Sequence, residues 1–256
     1  ISAVGISLVL SITMFTGILL DYNPDFKVEA FWTWIHLGAF NIDLGFLIDN
    51  ITITMLMVVA LISTMSHLFS IKYMEGDPRY SRYYAYLSLF TFSMNGIVLA
   101  NNLMLLYMSW ELVGLSSFLL IGFWFEKDSA AAAANKAFLT NRVGDIGFFI
   151  GIMIIFMTIG SVSYGEVFNG VANGELMGAL LTCAGIGLFM GAMGKSSQVP
   201  LHIWLPDAME GPTPVSALMH AATMVAAGVF MMVRLFPIMS PDALVFAAYI
   251  GGITAL

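Results

Sequence analysis

Three ionisable residues stand inside apolar sequence where a charge is expensive: Glu111, Asp145 and Lys195. Counted at 1.5 Å per residue, Glu111 lies about 13 Å into a run that begins near Leu103, close to the middle of a bilayer. Lys195 follows another apolar run and sits where a helix is expected to break. A charge at such depth costs a few kcal/mol or more, so it normally faces a partner or a water-filled cavity. Lys195 and Glu111 are therefore expected to pair. Burial favours a neutral lysine and a nearby carboxylate favours a charged one, so moving or protonating the carboxylate would change the lysine's hold on its proton. A change of about 1.4 kcal/mol shifts a protonation equilibrium tenfold, so modest movements suffice. That describes a pump element; the alternative is a static ion pair that only fixes helix packing. Asp145 is expected to pair with Arg142, three positions earlier on the same helical face. His220, six residues after Pro214, has the ordinary pKa near 6.5 that suits a proton relay, or else serves as a hydrogen-bonded interhelical residue.

Other chemistries lack their residues. His36, His67, His202 and His220 show no ligand spacing, and the single cysteine, Cys183, permits neither a metal-sulfur cluster nor an internal disulfide. His67 and His202 sit near span ends and read as structural; His36, in a loop, is given no role. There is no glycine-rich phosphate loop, and no basic patch that would hold nucleic acid.

The elements that must position these groups are transmembrane helices. Hydrophobic residues make up 59% of the 256 and charged residues only 10%, against about 25% in soluble domains, and the mean hydropathy is +0.90. Lipid is the expected solvent, and the net charge of -7 says little about partners. Because about 20 apolar residues cross a bilayer, the chain divides into eight segments. These cover residues 1–20, 47–71, a hairpin over 83–125 that turns near Asn101, then 136–160, 176–209, 214–237 and a last one from Pro241. The run 1–20 lacks a charged start and a small-residue cleavage site and reads as a retained span. Apolar sequence at both ends and no initial Met suggest a piece of a longer chain. Residues 21–45 read as a polar stretch followed by an interfacial aromatic patch, Phe31 to Trp34. Gly144, Gly147 and Gly151 offer a surface for close helix contact. The segment 176–209 contains Gly191, Gly194, Lys195 and Pro200 and is expected to be a discontinuous helix, its freed carbonyls facing protein or water. Lys72, Arg79 and Arg82 in one loop, and Lys127, Lys136 and Arg142 in another, place those loops on the cytoplasmic or matrix side; residues 21–45 and 161–177 together hold only Lys27.

Three strings carry a family resemblance: LMLLYMSWELVGLSSFLLIGFW (103–124), NKAFLTNRVGDIGFF (135–149) and GKSSQVPLHIWLPDAMEGPTPVSALMHAATMVAAG (194–228). They resemble the antiporter-like subunits of respiratory complex I, the subunit L (chain 5) type above all. The resemblance implies an all-α, polytopic transmembrane bundle with a discontinuous helix, the first of two inverted five-helix repeats. Residues 1–82 would be N-terminal helices and loops, 83–236 the first repeat, and 237–256 the start of the second. It assigns Lys195 and Glu111 to the proton path, His220 to a relay toward the second half, and Asp145 to a modulating role. NADH, FMN, iron-sulfur clusters and quinone are expected in partner subunits of the membrane and redox arms, with none in this chain, and the location would be a bacterial or organellar inner membrane. The large subunit of multi-subunit sodium/proton antiporters is similar through LPDAMEGPTPVSA, but that family usually has a lysine where this chain has Ala226, and NRVGD favours complex I. A membrane-bound hydrogenase arm is a further relative. A non-transporting scaffold subunit would need neither Glu111 nor Lys195.

Overall fold

The computed structural model describes residues 1–37 and 40–256, and the side chain of His36 lies outside what is described. In chain order the elements are α1 (Ser2–Leu20), β1 (Lys27–Leu37), β2 (Phe40–Asp49), α2 (Asn50–Tyr73), α3 (Tyr80–Leu99), α4 (Leu103–Ile121), α5 (Asp128–Ile159), α6 (Tyr164–Ala172), α7 (Gly178–Lys195), α8 (Thr213–Ser216), α9 (Met224–Arg234) and α10 (Pro241–Ala255). A π-helical turn, Ala217–Ala222, joins α8 to α9. Among the described residues, α1, α2, α4, α5, α7 and the run Thr213–Arg234 are long and apolar enough to cross a membrane. α3 is 20 residues long but richer in Tyr and Ser, and α10 is a shorter apolar helix.

The boundaries follow from local chemistry. The α3–α4 turn falls at Asn101 as expected, and the Asn102 side chain caps α4 by accepting from the Leu105 amide at 2.7 Å. Asp49 caps α2 through the Thr52 amide at 2.9 Å, and Ser240 with Pro241 opens α10. Gly160, with φ 81°, ends α5 in the left-handed region that glycine adopts without penalty.

Three departures from the sequence reading stand out. Residues 27–49 form an antiparallel hairpin in which Lys27 faces Asp49 and Phe31 faces Gly45, where a loop and an aromatic patch were expected. Val28, Phe31, Thr33 and Ile35 are strand formers, and the exposed Trp32 and Trp34 still suit an interface. Helix α5 begins at Asp128, before the apolar run, because alanine, the best helix former, fills its first turns. The stretch 161–177 contains α6, a short helix whose Tyr164, Val167 and Gly170 are buried.

The glycines of α5 do meet a neighbour. A Cβ at Gly144 would lie 2.7 Å from the Met190 carbonyl, and one at Gly151 would lie 2.8 Å from the Ala184 carbonyl. On the other side, a Cβ at Gly187 would lie 2.8 Å from the Gly147 carbonyl. α5 and α7 thus pack backbone to backbone, the contact that small residues permit in lipid.

Side-chain bonds tie each end of the bundle. At one end Tyr73 bonds Thr213 (3.3 Å), Arg79 holds both oxygens of Glu126 (2.7 and 2.8 Å), and Lys136 pairs with Asp207 (2.6 Å). The Arg79 hydrogen bonds keep the Glu126 carboxyl below the usual range. At the other end the hairpin covers the α3–α4 turn, with Asn102 donating to the Asp43 carbonyl at 2.8 Å. There Arg234 ends α9 by pairing with Asp49 and donating to Thr52 Oγ1 at 2.7 Å. Burial alone would raise the Asp49 carboxyl, but the Arg234 and Thr52 contacts outweigh it and hold it below 3.8.

Replacing Gly187 with Val forces a branched side chain against backbone that cannot yield. Unfolding of the detergent-solubilised protein should show a loss of about 1–3 kcal/mol or more, and an unchanged midpoint would contradict this packing. Arg234→Ala strands the Asp49 carboxylate and should cost about 3 kcal/mol at neutral pH. Because folding holds the Asp49 carboxyl below its ordinary value, the pair's contribution is present at neutral pH, above the ordinary carboxyl range, and is lost as the pH falls through the lowered value, so the wild-type and variant stabilities should converge in acid.

Candidate functional site

Lys195 is the last residue of α7, and its side chain is fully buried. The helix stops there without leaving its carbonyls bare. Ser196 N bonds the Ala192 carbonyl (2.8 Å), Gln198 N bonds that of Met193 (2.9 Å), and Trp204 Nε1 donates to that of Gly194 (3.1 Å). This answers the expectation that a break at mid-membrane must face protein. The ammonium lies at the negative end of the α7 dipole, which favours a cation. Beyond the break the chain differs from a second helical half: residues 196–206 run through turns, and a short 3-10 turn, Asp207–Glu210, follows.

The pairing of charges is the exchange of the one expected. Lys195 Nζ lies 3.9 Å from Asp145 Oδ2, and the ion pair of Glu111 is with Arg142. Neither the Lys195–Glu111 pair nor the Arg142–Asp145 pair is formed. The reason is geometric: Asp145 points to the end of α7, where Lys195 and the α4 indole of Trp110 meet it, while Arg142, one turn earlier on α5, meets Glu111 of α4. At 3.9 Å Lys195 makes no direct hydrogen bond to Asp145, yet at an effective dielectric of 20 their attraction is on the order of 4 kcal/mol. Both side chains are enclosed, at 1% and 3% exposure, whereas Arg142 and Glu111 are more open at 36% and 19%.

Helix α4 completes the enclosure. Trp110 Nε1 donates to Asp145 Oδ1 at 2.9 Å, and the ring lies 6.0 Å from the Lys195 ammonium. Gly114 makes the space, since a Cβ there would lie 2.8 Å from Lys195 Nζ. Gly144 and Gly194 bring α5 and α7 together at this level, a Gly144 Cβ falling 3.2 Å from Gly194 Cα. His220 sits in the π-helical turn, its ring 5.7 Å from that of Trp204. Trp204 thus connects His220 to Gly194, the residue before Lys195. His67 is buried in α2 with Nδ1 at 2.8 Å from the Ser63 carbonyl, and His202 is exposed.

The structure therefore brings Asp145 and Lys195 into direct contact, leaves Glu111 one ion pair away through Arg142, and sets His220 beyond an indole. Sequence reasoning missed Trp110, Gly114 and Trp204. Trp110 and Gly114 flank Glu111 at one and three residues, a signal that the helix face around a buried acid is itself part of the site. Arg142 was singled out, but with the wrong partner: two acids and two bases allow two pairings, and spacing within one helix does not choose between them.

The family described as "NADH:quinone oxidoreductase/Mrp antiporter, TM" matches residues 100–256, and "NADH-Ubiquinone oxidoreductase (complex I), chain 5 N-terminus" matches residues 34–84. The chain is 46% identical to the NAD(P)H-quinone oxidoreductase chain 5 of Synechocystis, over 87% of its own length and 35% of that protein's. It is 46% identical to the NADH-quinone oxidoreductase subunit L of Neisseria meningitidis, over 100% and 40%. Among solved structures, one of the Mrp complex from Dietzia superposes with a TM-score of 0.77 at 27% identity, covering 89% of this chain and 24% of that one. The chain spans little more than a third of the length of the curated relatives it matches. The matches from bacteria and organelles, together with the long apolar helices, make it a multi-pass membrane protein. The buried lysine at the end of a helix, its carboxylate partner and these matches agree, and the chain belongs to the membrane-subunit family shared by NADH:quinone oxidoreductases and Mrp antiporters.

Proposed function

We propose that this chain is part of the proton-translocating membrane-arm subunit of an NADH:quinone oxidoreductase, in which quinone reduction elsewhere in the complex drives proton movement through this bundle. The observation that carries the reading is the enclosed Lys195–Asp145 pair at the end of α7. An ammonium held 3.9 Å from a carboxylate, with no hydrogen bond fixing it, is sensitive to small shifts of either group. Lys195 carries the transported proton. Asp145 sets the cost of keeping it there, and the Trp110 indole holds one oxygen of that carboxylate in place. The Arg142–Glu111 pair supplies charges one helical turn away, so its opening or closing changes the field at Lys195. His220, across Trp204, passes the proton toward the second half of the subunit.

In this reading residues 83–236 form the first of two inverted five-helix repeats, residues 237–256 begin the second, and residues 1–82 flank them. NADH, FMN, iron-sulfur clusters and quinone bind in partner subunits, and this chain catalyses no redox step itself. Other membrane-arm subunits and lipid are its neighbours. The helix ends and turns that carry Lys72, Arg79, Arg82 and Lys127 face the cytoplasm or matrix; Lys136 and Arg142, expected in the second of those loops, lie within α5 instead, because its alanine-rich start extends the helix to Asp128.

A sodium/proton antiporter role is the second reading, favoured by the likeness to the Mrp complex. Ala226, where that family usually has a lysine, counts against it.

In the assembled enzyme, Lys195→Ala should lower proton transport through this subunit by at least about tenfold, a loss of ~1.4 kcal/mol or more, and Glu111→Ala should lower it as well. The measurement is protons moved per NADH oxidised in sealed vesicles. Full stoichiometry in both variants would remove the assigned roles. Transport in membranes without NADH should not depend on sodium; sodium-dependent proton exchange there would favour the antiporter.

A further inference from the structure

Below the Lys136–Asp207 ion pair lies a buried polar side chain, Asn141, that the proposed relay does not use. That pair closes one side of an open cavity of about 560 Å³, lined by Tyr73, Ser129, Ala133, Lys136, Asp207 and Glu210 among others. Ser129 Oγ bonds Glu210 at 3.2 Å on the same rim. Helix α5 forms one wall and continues inward, placing Ala133, Ala137, Asn141 and Asp145 one below another at four-residue spacing. All four are buried. Asn141 is about 7 Å further along α5 than Lys136, and Asp145 about 6 Å further again. The Asn141 amide is only half used: Nδ2 donates to the Ala137 carbonyl at 2.8 Å, while Oδ1, in a side chain with 3% exposure, has no hydrogen-bond partner among the described residues. That oxygen lies 3.7 Å from where a Cβ on Gly194 would stand, beside the backbone of Lys195. An acceptor so deeply buried is normally satisfied by protein or water.

We infer that the Lys136–Asp207 pair is the outer gate of the proton intake path to Lys195, and that Asn141 is the positioning residue between gate and lysine, its Oδ1 orienting the water that carries the proton. The inference rests on the proposed function and deepens it by naming the side from which the proton comes. The gate suits opening. Lys136 and Asp207 are 41% and 45% exposed, and an ion pair so well solvated is weak. Asp207 and Glu210 outnumber Lys136 at the rim, so the mouth carries negative charge that concentrates protons when the pair parts. Inside, Asn141 Oδ1 stands at the outer end of the α5–α7 glycine seam, beside Gly194, the residue before Lys195. No bond other than those of the transferred proton is made or broken.

The test uses the full assembled enzyme in oriented vesicles, with Cys183→Ser to remove the native thiol and Asn141→Cys as the reporter. A small cationic methanethiosulfonate reagent should label the reporter from the face that carries Lys72 and Arg79. Adding Asp207→Asn should speed labelling about fivefold, which corresponds to an ion-pair free energy of about 1 kcal/mol. Should Asn141→Cys fail to assemble, Ala137→Cys reports from the same helix face. Labelling only from the opposite face, or at a rate that Asp207→Asn leaves unchanged, overturns the inference. Because labelling does not require pumping, a normal proton stoichiometry in Lys195→Ala would sink the function proposed above while leaving this result to stand or fall alone.

Discussion

A lysine and an aspartate enclosed together in a lipid-solvated bundle constrain everything around them. Either group alone would carry a large desolvation cost, and together they persist only because their mutual attraction offsets it. Backbone packing brings the two side chains within 3.9 Å of each other. α5 and α7 approach through Gly144, Gly147, Gly151 and Gly187, and this brings Asp145 level with the end of α7. Gly114 on α4 leaves room for the ammonium, and Trp110 fixes the carboxylate from the same helix. The end of α7 matters as much as the residue on it. Its last carbonyls are taken by Ser196, Gln198 and Trp204, so the helix terminates within the bundle without unpaired backbone.

A second ion pair stands beside the first. Arg142 and Asp145 sit one turn apart on α5 and find charged partners on different helices, so Glu111, Arg142, Asp145 and Lys195 form a row of alternating sign across α4, α5 and α7. The outer pair is partly exposed and the inner pair is not. The charges of the outer pair stand one helical turn from the inner one, whose enclosure leaves it less screened than a surface pair would be.

Much of this was legible in the sequence because membrane energetics leave few choices. Charges in apolar runs singled out Glu111, Asp145 and Lys195; the glycines of α5 announced a close helix contact; Asn101 and Asn102 marked a turn that Asn102 then caps. The partner of each charge was not legible. Two acids and two bases at similar depth are consistent with two pairings, and only the packing of α4, α5 and α7 against one another selects one. The hairpin of residues 27–49 was missed because aromatic residues at an interface and aromatic residues in a strand have the same composition. The break after Lys195 was foreseen from Pro200 and the glycines, but the turns that replace a second helical half depend on Trp204 and Asp207 finding partners far away in sequence.

The central claim is that Lys195 and Asp145 act as one unit, and a double-variant cycle on transport reads that most directly. Proton movement per NADH would be measured in the assembled enzyme with Lys195→Gln, with Asp145→Asn, and with both. If the two groups work through each other, the double variant loses no more than the worse single one. Losses that simply multiply would mean that each residue serves transport separately, and the account given for the pair would be wrong.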